Sequence, residues 1–297
     1  MNSDNFPEYF DAMICGGGHL IHSISPTGNV TTFEDYAGTI FLATVRRFLR
    51  QCSRCDIVWD LYHVSSIKAG TRIERGTGTR HHVSASGKMP SDWNNFLRDS
   101  NNKVELFQFL STIIQNMILI GSKFVFAALG SEVVHAGKGA SMTGCYHEEA
   151  YTRIIIHLID ILNAGLTTVV IKTCDTDVIA ILCGQYVRIT TSQHVWIMFG
   201  SGKHERRLNL DQFDAALGPK KMCGDANISL IYRLRFNIRY PQKKESVCVC
   251  QHGDNNEWLS DALCDLSYNP FSEVNEQWET FQRLQTLLIF TQRTLQM

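Results

Sequence analysis

The sequence predicts an α/β protein of three layers, in which a mainly parallel central sheet carries helices on both faces. Two observations lead to this fold class. The first half of the chain alternates strand-like with helix-like segments, as in proteins built on a parallel sheet. The predicted strands are short apolar runs, whereas the predicted helices repeat their apolar residues at helical period. A chain of 297 residues has room for one large domain, or for one domain and a smaller appendage.

Five apolar segments are predicted as strands. They span residues 13–24 (interrupted by Gly16, Gly17 and Gly18), 55–60, 123–129, 167–174 and 194–200. The strand at 55–60 ends at Asp60, and the β-branched strand at 167–174 leads into Asp175. Acidic residues therefore follow two of the predicted strands.

Helices are predicted between recognisable start and stop signals. Thr31 with Glu34 matches a capping box at the start of a helix that runs to about Gln51. Three further helices are expected over residues 103–120, 147–165 and 208–218. Acids in the first turn at 147–165, and Gly165 at its end, are typical of helix termini.

The regular pattern weakens after Gly218. Residues 219–252 are rich in lysine and arginine, and a helical pattern returns at 278–295. We therefore expect a main domain at 1–218, followed by a poorly defined basic segment and a C-terminal helix at 219–297.

Composition and charge argue against several classes of protein. The formal net charge of -1 gives no overall basic signature of a nucleic-acid partner. The N-terminal residues MNSDNFPEYF lack the basic and apolar regions of a secretory signal. The uncharged stretch within 106–122 is shorter than a membrane-spanning helix needs. We expect an intracellular protein, nuclear or cytoplasmic and not secreted, with no membrane partner.

The cysteines allow two interpretations. Ten cysteines in a chain without an export signal are expected to be reduced thiols. A zinc site is the alternative, because Cys52 and Cys55 form CxxC, and Cys248, Cys250 and His252 form CxCxH. No second CxxC is present and Cys55 leads directly into an apolar strand, so buried thiols are favoured.

Four carboxylates mark a candidate metal site. Asp60 ends one predicted strand, Asp175 and Asp177 follow a later one, and Glu149 opens the helix before that later strand. Sites in open parallel sheets form beyond the carboxyl ends of strands. Each acid alone has a structural explanation, as a cap or as a partner of a helix dipole. Together they would repel one another without a divalent cation, and such ligands suit Mg²⁺ or Mn²⁺.

The segment HEEAYTRIIIHLIDILNAGLTTVVIKTCDTDVIAILCG resembles the paired acidic motifs of flap endonucleases and their PIN-domain relatives. In that family a helix begins acid-Ala-acid and the next strand ends acid-x-acid. DIVWDLYHVSSIKAGTRIERG resembles the family's strand-ending Asp with a lysine and an arginine-rich segment after it. GGGHLIHSI is similar to its first strand. The resemblance covers roughly residues 12–218 and extends to an uncharacterised, transposon-associated eukaryotic branch with an Asp-Thr-Arg-Ile helix motif.

The resemblance implies a PIN-like fold and a divalent-metal-dependent nuclease that hydrolyses phosphodiester bonds of DNA or RNA. It assigns the metal-binding and catalytic positions to Asp60, Glu149, Asp175 and Asp177. The cofactor it implies is Mg²⁺ or Mn²⁺, and the partner it implies is nucleic acid.

The chain departs from the family pattern at three places. Gly16 stands where the first-strand Asp is expected, and Tyr151 stands where the second helix acid is expected. The family's Gly-x-Asp segment has no recognisable counterpart after ALGPKK. Catalysis is therefore expected to be weakened or lost. The alternatives are a non-catalytic pseudo-nuclease that binds nucleic acid or protein, and a decayed mobile-element relative without a selected function.

A basic stretch follows Asp60 in the sequence. Its lysines and arginines are Lys68, Arg72, Arg75, Arg80 and Lys88, with Glu74 as the single acid among them. Such a stretch beside a carboxylate site is expected to hold a phosphate backbone, while a solvated loop without a ligand is the alternative.

Overall fold

The structure, a computed structural model, describes residues 5–62, 78–137, 141–142, 144–145, 150–185 and 193–211. The described residues up to Val178, together with 193–210, belong to one compact unit. The described residues 179–185 and Asp211 belong to a second unit. The domain boundary predicted at residue 218 lies outside the described residues.

The first unit is built on a mixed sheet of seven described strands. They are β1 (Ala12–Gly16), β2 (Arg54–Val58), β3 (Phe124–Leu129), β4 (Glu132–Ala136), β5 (Thr168–Thr173), β6 (His194–Phe199) and β7 (Arg206–Asn209). Their spatial order is β4-β3-β2-β1-β5-β6-β7. The central five run parallel, and β4 and β7 pair antiparallel at the two edges. The predicted mainly parallel sheet is confirmed.

The order of the parallel strands reverses beside β1. From β1 the chain adds β2 and then β3 on one side, and later adds β5 and β6 on the other side. Met13 of β1 accordingly lies opposite Cys55 of β2 and opposite Val170 of β5. A crevice outside the carboxyl ends of the strands is expected at such a switch point, and ligands of open α/β sheets bind there.

Seven α-helices are described, with a π-helical segment (Ala37–Phe41) and a short 3₁₀ turn (Gly202–His204) besides. They are α1 (Gly17–Ser23), α2 (Phe33–Tyr36), α3 (Leu42–Phe48), α4 (Trp93–Phe96), α5 (Ser100–Gln115), α6 (Ala150–Asn163) and α7 (Thr176–Gln185). The π-helical segment joins α2 to α3.

Helices cover both faces of the sheet, as predicted, because successive strand residues point to opposite faces. On one face, Trp59 donates a hydrogen bond from Nε1 to Ser111 Oγ of α5 at 2.9 Å. Its ring also stacks on Phe107 with centroids 4.5 Å apart, inside a core rich in aromatic side chains. On the other face, Asp56 of β2 lies 2.7 Å from His157 Nδ1 of α6.

The strand predicted at 13–24 is wrong beyond Gly16, where the chain turns directly into α1. A Cβ added to Gly17 would lie 1.9 Å from Cε3 of Trp59, so the helix begins against this ring at a residue without a side chain. Leu20 and Ile21 are then buried at helical spacing from Gly17.

Two helix starts also differ from prediction. The capping box uses Thr32 and Asp35, not Thr31 and Glu34: Thr32 Oγ1 accepts from the Asp35 N–H at 3.1 Å, and Asp35 Oδ2 accepts from the Thr32 N–H at 3.0 Å. The start of the helix predicted at 208–218 is wrong, because β7 pairs with β6 there. Tertiary strand pairing outweighs the local helical pattern at this edge.

Candidate carboxylate site at the switch point

Asp60 lies two residues beyond the carboxyl end of β2 and is bonded to the start of α6. Its Oδ1 accepts a hydrogen bond from the Ala150 N–H at 2.9 Å. An oxygen in this position satisfies one of the amide donors that a helix leaves unpaired at its first turn. Asp60 therefore performs a capping role, whatever further role its carboxylate has.

Asp175 follows β5 and caps α7 in the same manner. Its Oδ1 accepts from the Asp177 N–H at 3.0 Å, and its own N–H donates to Thr173 Oγ1 at 3.0 Å. The side chain of Asp175 is exposed. Asp177 stands in the first turn of α7, where a negative charge is favourable to the helix dipole.

The two capping aspartates lie at the same end of the sheet, the end at which the parallel strands terminate. β2 and β5 are the two neighbours of β1, so they are separated by about 10 Å, twice the usual strand spacing. Gly16 ends the strand between them. The first turn of α1 also lies at this end of the sheet, since a Cβ on Gly18 would lie 3.6 Å from Asp60 Oδ2. The switch point is thus bordered by Asp60 on one side and Asp175 on the other.

Tyr151 occupies the helix position at which the resemblance leads one to expect an acid. It is the residue after Ala150 in the first turn of α6, and it is only 3% exposed. The side chain is part of the protein interior. A neutral phenol in this place supplies none of the negative charge that a carboxylate would supply.

Arg153 brings a buried positive charge close to Asp60, which sequence reasoning missed. It is 1% exposed, and it donates from Nη1 to Trp59 O at 3.3 Å and from Nη2 to Gly130 O at 2.9 Å. Burial lowers the pKa of Arg153, and the nearby Asp60 carboxylate partly offsets that effect. A charged residue on the apolar face of a predicted helix is the signal that would have drawn attention to it.

A row of polar contacts continues along the interface between α6 and β2. His157 Nδ1 lies 2.7 Å from Asp56 Oδ2, and Arg54 Nη1 pairs with Asp160 Oδ2 at 2.7 Å. Arg54 also donates from Nε and Nη2 to the two oxygens of Asp56, at 2.9 and 2.8 Å. Burial acts to raise the pKa of Asp56, but its bonds to His157 and Arg54 lower the pKa below its ordinary value. These contacts hold α6 in place over the sheet.

The basic stretch is described only in part. Lys68, Arg72 and Arg75 lie outside the described residues. Arg80 donates to Asn102 Oδ1 at 2.8 Å and pairs with Glu105, so it ties its loop to α5. Lys88 is exposed, and its backbone forms an isolated antiparallel β-bridge with Thr32. Arg80 thus has a structural role that the sequence interpretation did not include.

Metal ligation by all four predicted carboxylates stays a prediction, because Glu149 lies outside the described residues. Within the described ranges, no group of three or more His, Cys, Asp or Glu side chains could hold a metal ion. Cys52 and Cys55 are free thiols, and burial raises the pKa of Cys52 to about 12 and that of Cys55 well above its ordinary value. The cluster at 248–252 of the zinc alternative also falls outside the described residues.

The fold and the site define an open α/β protein with acidic side chains on both sides of its switch point. No protein-family model matches the chain, and neither a curated protein nor a solved structure matches it. In the described part of the chain, no helix has the length and apolar character needed to cross a membrane.

Proposed function

We propose that this chain is a PIN-like protein whose switch-point carboxylates bind one divalent cation, Mg²⁺ or Mn²⁺, together with a phosphate of DNA or RNA. Hydrolysis of the phosphodiester bond is weak or absent. The observation that carries the proposal is the position of Asp60 and Asp175 beyond the carboxyl ends of the two strands that flank β1.

The charged side chains around the switch point favour the binding of a single ion. Asp60, Asp175 and Asp177 supply negative charge and oxygen donors of the kind that Mg²⁺ and Mn²⁺ prefer, although within the described residues they do not form a three-ligand group. The buried guanidinium of Arg153 opposes a high local density of cations, because like charges repel strongly where water is excluded. One ion bound beside the phosphate of a substrate is consistent with both sets of charges.

Hydrolysis by a two-metal mechanism needs a second ion and the ligands to hold it. The two ions, about 4 Å apart, stabilise the attacking and the leaving oxygen of the phosphodiester. Gly16 offers no ligand on the strand between Asp60 and Asp175, and Tyr151 offers no charge on α6. Magnesium also gives up its water molecules reluctantly, so a poor set of ligands does not hold the second ion. One ion polarises the phosphate but cannot stabilise both oxygens.

The cation site is tested by Asp175→Asn in a calorimetric titration with Mg²⁺ and Mn²⁺. Asparagine caps a helix about as well as aspartate, so this change removes the charge and keeps the cap of α7. Asp92→Asn is the matched control, because Asp92 caps α4 in the same way and follows none of the strands that border the switch point. We expect weak binding in the native protein and in Asp92→Asn, and its loss in Asp175→Asn. Binding that survives Asp175→Asn unchanged would contradict the proposed site.

The second test measures cleavage of single-stranded DNA, flapped DNA and RNA in Mg²⁺ and in Mn²⁺. We expect little or no turnover in the native protein, and a gain when Gly16→Asp and Tyr151→Asp are combined. Gly16 tolerates a side chain, since its φ is -62° and an added Cβ meets only Lys172 O, at 3.7 Å. Because Tyr151 is buried, the fold of the double variant is checked by circular dichroism. Robust native turnover that Asp175→Asn abolishes would overturn the expected loss of catalysis.

A further inference from the structure

The large apolar side chains that are exposed among the described residues all lie at one end of the sheet. Tyr9 is 69% exposed, Ile118 is 88% exposed and Ile120 is 89% exposed. Tyr9 precedes β1, and the two isoleucines lie in the loop between α5 and β3. Because β1, β2 and β3 run parallel, these residues lie at the end where the strands begin, opposite to the switch point.

The loops that precede β1, β2 and β3 lie side by side, because backbone hydrogen bonds join them. The Phe10 N–H donates to Gln51 O at 3.0 Å, and the Phe124 N–H donates to Ser53 O at 2.9 Å. The exposed apolar side chains therefore belong to one surface formed by three neighbouring loops. Single apolar side chains scattered over a protein need no explanation, whereas a group of them in one place marks an interaction surface.

The two isoleucines are held away from the protein by the residues next to them. Met117 is buried and Leu119 packs against the hydrophobic core, so inward and outward side chains alternate along this loop. Gly121 then turns the chain with a φ of +74°, and a Cβ added there would meet nothing within 4 Å. Burying Ile118 and Ile120 by a local rearrangement would expose Met117 and Leu119 instead. The isoleucines thus need a partner outside the described part of the chain.

Basic side chains flank the isoleucines. Lys123, in the same loop, donates from Nζ to Leu49 O at the end of α3. Arg50 follows directly and is exposed, as are Arg46 and Arg47 in the last turn of α3. Among the described residues, none of the three arginines forms an ion pair. We name the following residues the amino-end surface: Tyr9, Arg46, Arg47, Arg50, Ile118, Ile120 and Lys123.

The combination of apolar and basic side chains selects the chemistry of the partner. An anionic phospholipid layer offers negative headgroups to the arginines and an apolar interior to the isoleucines. A nucleic-acid backbone offers the negative charge without an apolar layer. A protein partner needs a preformed pocket for two side chains that stand out from the surface, whereas a fluid lipid layer accepts them without one. Glu8, an exposed acid, lies beside Tyr9, so the positive charge is concentrated around the isoleucines.

We propose that the amino-end surface binds peripherally to a membrane that contains anionic phospholipids. Ile118 and Ile120 insert below the headgroups, and the arginines at the end of α3 contact headgroup phosphates and carboxylates. The sequence predicted no membrane partner because the uncharged stretch within 106–122 is too short to span a bilayer, but surface binding needs no spanning segment. The switch point lies at the opposite end of the sheet, so it stays open to solvent in the bound protein. The proposal is independent of the proposed function.

The experiment is flotation of the full chain with vesicles in EDTA, which excludes effects of a bound divalent cation. One set of vesicles is phosphatidylcholine alone, and the other is phosphatidylcholine mixed with phosphatidylserine. We expect binding to the mixed vesicles, weak binding to the neutral ones, and a loss of affinity as salt is added, because salt screens the attraction between arginines and headgroups. The double variant Ile118→Ser with Ile120→Ser should lower the affinity for mixed vesicles by about tenfold or more.

A pair of single charge changes separates the amino-end surface from the overall charge. Arg50→Gln should lower the affinity for mixed vesicles by about fivefold. Lys203→Gln is the matched control, because Lys203 is equally an exposed cation but follows β6 at the other end of the sheet, and it should leave the affinity unchanged. All of these side chains are exposed, and circular dichroism shows that each variant is folded.

Three outcomes would overturn the proposal. The first is that the native protein does not float with mixed vesicles. The second is that the double isoleucine variant floats as well as the native protein, or that Lys203→Gln weakens binding as much as Arg50→Gln. The third comes from sedimentation velocity without lipid: self-association that the double isoleucine variant abolishes, in a protein that binds no vesicles, would assign the amino-end surface to a second copy of the chain.

Discussion

Asp56→Asn tests how far the buried contacts between α6 and β2 stabilise the fold. The substitution keeps the shape of the side chain and removes its charge. Asp56 is 0% exposed and is bonded to Arg54 through both oxygens and to His157 at 2.7 Å. Removing one partner from a buried ion pair costs about 3–5 kcal/mol, because the remaining charge is left in a medium that solvates it poorly.

The structure places the expected loss at the low end of that range, about 3 kcal/mol at pH 7. Arg54 keeps its ion pair with Asp160, whose side chain is 35% exposed, and it keeps its contact with the Phe126 ring at 4.2 Å. The loss also depends on pH. The pKa of Asp56 is lowered in the folded protein, so its contribution is present above its ordinary pKa of 3.8 and is lost as pH falls through the lower folded value.

The measurement is urea unfolding followed by circular dichroism and by tryptophan fluorescence, with agreement of the two signals as the check for a single transition. Asp92→Asn, an exposed cap replaced by an equivalent cap, should stay within about 0.5 kcal/mol of the native protein. The difference between native and Asp56→Asn proteins should narrow from pH 5 to pH 3. A loss below about 1 kcal/mol at pH 7, or a difference that stays constant down to pH 3, would refute the reasoning.

Two other predictions concern packing and access. Gly17→Ala places a methyl group against the Trp59 ring, so it should lower the free energy of unfolding by about 1–3 kcal/mol. Gly28→Ala is the control, because a Cβ there meets nothing within 4 Å and should have little effect. A Gly17→Ala variant as stable as the native protein would contradict the contact. Iodoacetamide labelling followed by mass spectrometry should modify exposed Cys174 before Cys55, because burial raises the pKa of the Cys55 thiol and excludes the reagent. Equal labelling rates in the native protein would show that Cys55 is accessible.

Most strand positions could be predicted because their signal is local. The β-branched run before Asp175 and the apolar run before Asp60 are short and bounded by polar residues, and both are strands in the structure. β4 was missed, because Glu132–Ala136 includes a charged residue and a histidine and forms a strand by pairing with β3. An edge strand of this kind depends on its neighbour more than on its own composition.

The segment after Gly16 shows the limit of a pattern taken alone. Apolar residues around three glycines fit a strand that is interrupted, and they also fit a strand followed by a helix. The Trp59 ring decides between them, since only a residue without a Cβ can begin α1 against it. That ring belongs to the residue that follows β2, so no inspection of residues 13–24 alone would have found it.

By itself, the sequence determined the order of the parallel strands along the chain and the placement of Asp60 and Asp175 just after two of them. It could do so because the spacing of apolar residues and the residue preferences of turns depend on near neighbours in the chain. Only the tertiary structure decided what those carboxylates contact. Asp60 caps a helix 90 residues away, and the Asp56–His157 contact joins residues 101 apart. Such contacts depend on how helices pack on the sheet, which a local pattern does not encode.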